Sequence, residues 1–180
     1  MRFVETEISG AFVIEPERLS DQRGFFACLF TPREFAARGL RTDVDQVAVS
    51  WNARRGTLRG MHFQAAPHAQ AKLVRCTRGA VHDVIVDLRR LSPTRGRSVA
   101  VELSADNRRL LYVPEGFAHG FLTLDDDCEV AYQMSGDWHA GSERGVRFDD
   151  PAFAIQWPFA PFVISARDRA FPDWDPEGAD

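Results

Sequence analysis

The 180-residue chain contains a single lysine and only two tyrosines. Arginine supplies the rest of its 22 basic residues, and there are 14 phenylalanines. The exceptions, Lys72, Tyr112 and Tyr132, are the places to ask whether an ammonium or a phenol hydroxyl is needed, although compositional drift explains the bias equally well. Cysteine is also scarce. Cys28, Cys76 and Cys128 lie far apart and form no C-x-x-C pair, which excludes a disulfide framework and a zinc cage. No run approaches 18 apolar residues, so no membrane-spanning helix is expected. The first 19 residues carry early acids and lack the 7–15-residue apolar core of a signal peptide. A reduced, cytoplasmic setting is the expectation. A formal net charge of -4 argues against nucleic acid as the main partner, while a local cluster of Arg can still bind a small anionic ligand.

What remains is an ordinary globular composition, 44% apolar and 27% charged. The length predicts one domain over residues 1–180, burying about 70% of its unfolded surface. Strand-like runs recur over residues 24–30, 46–52, 57–64, 71–77, 81–88, 98–103, 109–113, 117–124 and 128–134. Turn clusters such as Arg55-Gly56, Arg78-Gly79 and Pro114-Glu115-Gly116 separate them. This pattern predicts an all-β antiparallel sandwich or barrel. A parallel α/β fold is excluded, because no helices alternate with the strands. One short N-terminal helix is expected after Thr31, with Pro32 at its first position, Glu34 closing a capping box and Gly39 ending it. The tail from Pro151 onward, rich in Pro and Trp, is expected to wrap the barrel irregularly.

Several side chains suit chemistry. In Leu58-Arg59-Gly60-Met61-His62-Phe63-Gln64, strand alternation places His62 with Gly60 and Gln64 on one face, and Arg59 with Met61 on the other. The ordinary reading of a lone His on a strand is a hydrogen-bonded, half-buried side chain. Ten residues on, Lys72 is expected on an adjacent antiparallel strand, beside His62 and facing the interior, where an ammonium needs a partner or a function. Tyr132 alternates with Val130 and Met134 and is readable as a core aromatic. His119 precedes Gly120, which suggests close backbone approach. Asp83 and Asp87 on an apolar strand need partners. Small barrels that bind metal commonly use two His one residue apart. No His-x-His occurs here, and Lys72 would repel a cation, so no metal is expected.

In order along the chain, the runs Asp21-Gln22-Arg23-Gly24-Phe25-Phe26, Gly56-Thr57-Leu58-Arg59-Gly60-Met61-His62-Phe63-Gln64, Ala71-Lys72-Leu73-Val74-Arg75, Pro114-Glu115-Gly116-Phe117-Ala118-His119-Gly120-Phe121 and Ser165-Ala166-Arg167-Asp168 resemble the dTDP-4-dehydrorhamnose 3,5-epimerase family. The resemblance implies a cupin-like jelly-roll barrel and a homodimer, with no metal and no cofactor. It implies a nucleotide-linked 4-keto-6-deoxy sugar as substrate. His62 then matches the base, Asp168 the carboxylate that orients it, Tyr132 the acid and Lys72 the group near the keto oxygen. Arg23, Phe26, Gln46, Arg59, His119, Glu143 and Arg167 match substrate-binding positions, and Trp138 matches an aromatic stacked on the nucleotide base. The sequence departs from the family pattern at Cys28, usually Glu, at Ala48, usually Asn, and at Arg167, usually Lys.

These residue types suit that chemistry on their own terms. The ketone at carbon 4 acidifies the protons on carbons 3 and 5. A histidine has a basicity matched to removing one. An ammonium stabilises the enolate oxygen, and a phenol supplies a proton from the opposite face, as Phe cannot. The competing class is a non-catalytic or metal-dependent cupin that binds or isomerises a sugar.

Overall fold

A computed structural model describes residues 1–177. It contains fourteen strands among the described residues. The first four are β1 (Arg2–Glu5), β2 (Phe12–Glu15), β3 (Leu19–Asp21) and β4 (Gly24–Phe26). The central eight are β5 (Gln46–Asn52), β6 (Thr57–Gln64), β7 (Lys72–Arg78), β8 (Ala80–Asp87), β9 (Ser98–Ser104), β10 (Leu110–Val113), β11 (Phe117–Thr123) and β12 (Cys128–Met134). Two short strands follow, β13 (Glu143–Gly145) and β14 (Val163–Ile164). One sheet runs β1-β2-β10-β7-β12-β5 and a second runs β13-β6-β11-β8-β9, with β14 against β6; β3 and β4 form a separate hairpin. Pairing is antiparallel except for β14 on β6. This is the expected all-β, cupin-like barrel of two facing sheets.

Alternation explains how the layers fill. On β8, Val81 and Ile85 face the other sheet and join Val74, Cys76, Leu111, Phe117, Phe121 and Val130 in the central core. Val84 and Val86 point the opposite way, into a second cluster with Met61, Ala118 and Phe153, covered by Trp157 and Trp174 of the C-terminal tail. A strand buried on both faces reads as a nearly continuous apolar run. The outer face of the first sheet is covered by the helix α1 (Pro32–Ala36), whose Phe35 packs with Ile14, Leu73, Leu110 and Tyr112. No helix among the described residues is long and apolar enough to cross a membrane.

Four expectations need correction. The strand at residues 24–30 stops at Phe26, because its partner β3 is three residues long, and Leu29 and Phe30 turn instead onto the α1 cluster. The capping box of α1 is only half made: Thr31 accepts the Glu34 N–H, while the Glu34 carboxylate reaches the N-terminal ammonium. A second helix, α2 (Ala166–Arg169), interrupts the tail; Ser165 caps it by accepting the Asp168 N–H at 3.0 Å. Lys72 is not on the strand next to His62. β6 and β7 belong to different sheets, and the two residues meet across the barrel interior.

Candidate active site

His62 and Arg59 belong to one strand, and simple alternation would send them to opposite faces. The register with β11 shows why they share a cavity. Arg59 pairs with Phe121 and His62 with His119, so three steps on β6 oppose two on β11. This bulge turns both side chains inward. Glycine permits it: Gly60 has φ +140°, and a Cβ there would lie 2.5 Å from the Gly120 Cα. The close approach expected beside His119 is this contact.

The cavity, about 280 Å³, is lined by Ala48, Arg59, His62, Lys72, His119, Phe121, Tyr132 and Met134. A neighbouring cavity of about 420 Å³ shares Arg59 and His62 and adds Ile164, Ser165, Arg167 and Asp168. His62 Nε2 lies 2.8 Å from Asp168 Oδ1, and Asp168 Oδ2 accepts the Gly60 N–H at 3.3 Å. Burial pushes the Asp168 carboxyl up, but the His62 hydrogen bond and charge, with Gly60 and Ser165, outweigh it and hold the group below its ordinary value. An ionised Asp168 can only accept, so the His62 tautomer this contact selects when the ring is neutral has its proton on Nε2 and its acceptor lone pair on Nδ1. Phe171 packs edge-on against the imidazole, with ring centroids 5.7 Å apart.

Lys72 Nζ donates to the His62 carbonyl at 3.4 Å. Burial lowers the ammonium to about 8, against the opposing charges of Asp83 and Glu143. Asp83, fully buried on β8, holds His119 Nε2 at 3.0 and 3.1 Å. Asp87, the other buried carboxylate of that strand, is held by Arg89, Ser92 and Thr94. Tyr132 faces the cavity from the first sheet. Burial drives its hydroxyl well above the ordinary phenol range, against the hydrogen bond it shares with Ser50. Arg59 Nε donates to Asn52 Oδ1 at 2.7 Å. At the rim, Arg167 pairs with Glu143 at 2.8 Å.

The fold thus gathers His62, Lys72, Tyr132, Asp168, Arg59 and His119 around connected space, with Glu143 and Arg167 at its edge. Gln46 sits on β5 opposite Met134. Trp138 is 53% exposed on the loop after β12. Arg23 and Phe26 line neither cavity; they belong to the β3–β4 hairpin, Arg23 paired with Asp21 and Phe26 70% exposed. Two residues carry structure around the site that sequence reading had not singled out. Ser50 lies 3.1 Å from the Tyr132 hydroxyl. Gln64 brackets Trp138, donating to the Asp137 carbonyl and accepting the His139 N–H. Only the position of each on an inward-facing strand hinted at this.

Fold and site together define a cupin-type barrel equipped for proton transfer, with a His–carboxylate pair, an ammonium and a phenol converging between its two sheets. Residues 5–175 match the family described as dTDP-4-dehydrorhamnose 3,5-epimerase. A dTDP-4-dehydrorhamnose 3,5-epimerase of Sinorhizobium fredii is 43% identical over 173 residues, covering 96% of this chain and 89% of that one. The crystal structure of the Bacillus anthracis dTDP-4-dehydrorhamnose 3,5-epimerase with TDP and PPi bound superposes with a TM-score of 0.91 at 41% identity, covering 96% of this chain and 99% of that one. ChmJ, a 3'-monoepimerase from Streptomyces bikiniensis solved with dTDP-quinovose, gives 0.86 at 37% identity, with 93% and 85% covered. The chain belongs to the dTDP-4-dehydrorhamnose 3,5-epimerase family.

Proposed function

We propose that the protein epimerises a dTDP-linked 4-keto-6-deoxy sugar at carbon 3, carbon 5 or both, as a step of deoxysugar biosynthesis. The observation that carries the reading is the convergence of His62–Asp168, Lys72 and Tyr132 on one cavity from both sheets and the tail. His62 removes the proton next to the ketone, Lys72 stabilises the enolate oxygen, and Tyr132 returns a proton to the other face. Arg59, His119, Gln46, Glu143 and Arg167 bind the substrate, and Trp138 stacks on the base. No metal or cofactor enters these steps.

The same reading includes a homodimer in the cytoplasm. β5 is a sheet edge whose Val47, Val49 and Trp51 are 73%, 61% and 58% exposed, an apolar stripe suited to a second copy. A second copy also accounts for Arg23 and Phe26, which match substrate-binding positions yet line neither cavity in their own chain. Three free cysteines fit a reducing compartment.

The experiment is NMR of dTDP-4-keto-6-deoxyglucose in D2O with the protein. Deuterium entering at carbons 3 and 5, with inverted product, is expected. No exchange at either carbon would sink the reading, and exchange at one carbon alone would narrow it to a single-centre epimerase.

A further inference from the structure

We infer that Ser50 is a positioning residue for the reaction: its hydroxyl donates to Tyr132, leaves the phenolic proton free to face the sugar, and holds the phenolate that proton transfer creates. The inference rests on the reading of Tyr132 as the acid.

β5 and β12 pair in register, with Ala48 opposite Tyr132 and Ser50 opposite Val130. Ser50 and Tyr132 are therefore diagonal neighbours on the inward face. Ser50 Oγ lies 3.1 Å from Tyr132 Oη and is the one hydrogen-bond partner of that hydroxyl among the described residues. Either oxygen can donate, and the choice matters. If Tyr132 donates to Ser50, its proton is committed to the serine and withheld from the cavity. If Ser50 donates to Tyr132, the phenolic O–H can point at a sugar carbon. Only the second arrangement allows transfer.

The proton count closes in this arrangement. His62 takes the C–H proton, and the electron pair moves onto the keto oxygen as the enolate. The carbon then takes the Tyr132 proton, the ketone re-forms, and the O–H electron pair stays on Tyr132. One proton has been gained by His62 and one lost by Tyr132; exchange with water restores both. In between, a phenolate exists where burial disfavours it. A hydroxyl already aimed at that oxygen supplies a charge-assisted hydrogen bond at the moment of need. Ser50 is itself held in place. Asn52 Nδ2 donates to the Ser50 carbonyl at 3.3 Å, and Asn52 Oδ1 accepts from Arg59, a residue of the same cavity.

The test separates proton removal from inversion. In D2O, NMR follows deuterium entering substrate of retained configuration and, independently, formation of inverted product. In Ser50→Ala, His62 still works, so exchange stays within about twofold of wild type. Inversion falls on the order of 10- to 100-fold, the scale of one hydrogen bond to a charged group. Ser50→Thr keeps the hydroxyl and restores the wild-type ratio of inversion to exchange. An unchanged ratio in Ser50→Ala overturns the inference, whether both rates persist or both fall together as they would for a merely structural serine. Tyr132→Phe, run alongside, reads the underlying assignment: if it inverts normally, Tyr132 is not the acid and the inference falls with it. If wild type neither exchanges nor inverts, the proposed function itself has failed.

Discussion

Asp168 meets His62 at 2.8 Å although the two are 106 residues apart in sequence. The carboxylate sits in the first turn of the four-residue helix α2, fixed by the Ser165 cap, and its second oxygen is tied to the bulge at Gly60. One side chain thereby holds both the imidazole and the bulge of the strand that carries it. Asp168→Asn should keep the fold but offer His62 an N–H where it needs an acceptor. A loss on the order of 10³–10⁴ in turnover is expected, with TDP affinity within about threefold of wild type. Turnover within tenfold would remove Asp168 from the mechanism. Stability gives a separate reading. The folded carboxyl lies below its unfolded value, so its contribution is present above pH ~3.9 and is lost as pH falls through the folded value. Melting of Asp168→Asn should therefore lose part of the acid dependence seen in wild type.

His62→Ala and His62→Asn should abolish deuterium wash-in while leaving nucleotide binding nearly intact, because proton abstraction is not needed to hold a diphosphate. A general base contributes about 10²–10⁴-fold. Exchange above about a tenth of the wild-type rate in either variant would assign the base elsewhere.

The solitary lysine gives a pH signature. Lys72 must be an ammonium to stabilise an enolate, and burial lowers it to about 8. Activity should therefore fall as pH rises through about 8, more than two units below an ordinary lysine near 10.4. Lys72→Arg keeps a charge that does not titrate in this range, so its residual activity should show no such limb. Its planar fork does not reproduce a compact ammonium, and turnover at saturating substrate should drop on the order of 10²–10³. Activity of Lys72→Arg within about threefold of wild type would mean that the solitary lysine is an accident of composition.

Much of this was legible before the structure. Strand limits at 46–52, 57–64 and 128–134 match β5, β6 and β12 because clear turn signals bound them. Tyr132, Val130 and Met134 share a face as a period of two requires. Local pattern fails where tertiary contacts decide. Nothing in Arg59-Gly60-Met61-His62 states that Gly60 and Met61 together will oppose the single residue Gly120 of β11, so the shared cavity of Arg59 and His62 was hidden. The Ser165-Ala166-Arg167-Asp168 run carries a cap signal for α2, yet the helix is too short for a periodicity to announce it. The scarcity of tyrosine proved an uneven guide. Tyr132 reaches the cavity, but the Tyr112 hydroxyl accepts the Arg41 N–H, 71 residues away in sequence, and serves the fold.

Trp138 is the residue whose reading depends most on its surroundings, because it is 53% exposed and sits on a loop. Gln64, two residues beyond His62, grips that loop on both sides, donating to the Asp137 carbonyl at 3.3 Å and accepting the His139 N–H at 3.1 Å. Gln70 adds a bond to the Gly136 carbonyl at 2.9 Å, and the His68 and His139 rings stack with centroids 3.5 Å apart. If Trp138 stacks on the nucleotide base, Trp138→Ala should raise the TDP dissociation constant roughly 5- to 150-fold, the scale of one base–aromatic stack. Gln64→Leu removes two neutral hydrogen bonds and frees the loop, so it should weaken TDP by roughly three- to tenfold with turnover at saturation little changed. The double variant decides whether the two act together. Residues that act through one another are not additive, so Gln64→Leu should have almost no further effect once Trp138 is alanine. Isothermal titration of TDP against the four proteins measures this directly. Unchanged affinity in Trp138→Ala would make the indole a bystander, and full additivity in the double variant would show that Gln64 acts on the nucleotide by another route.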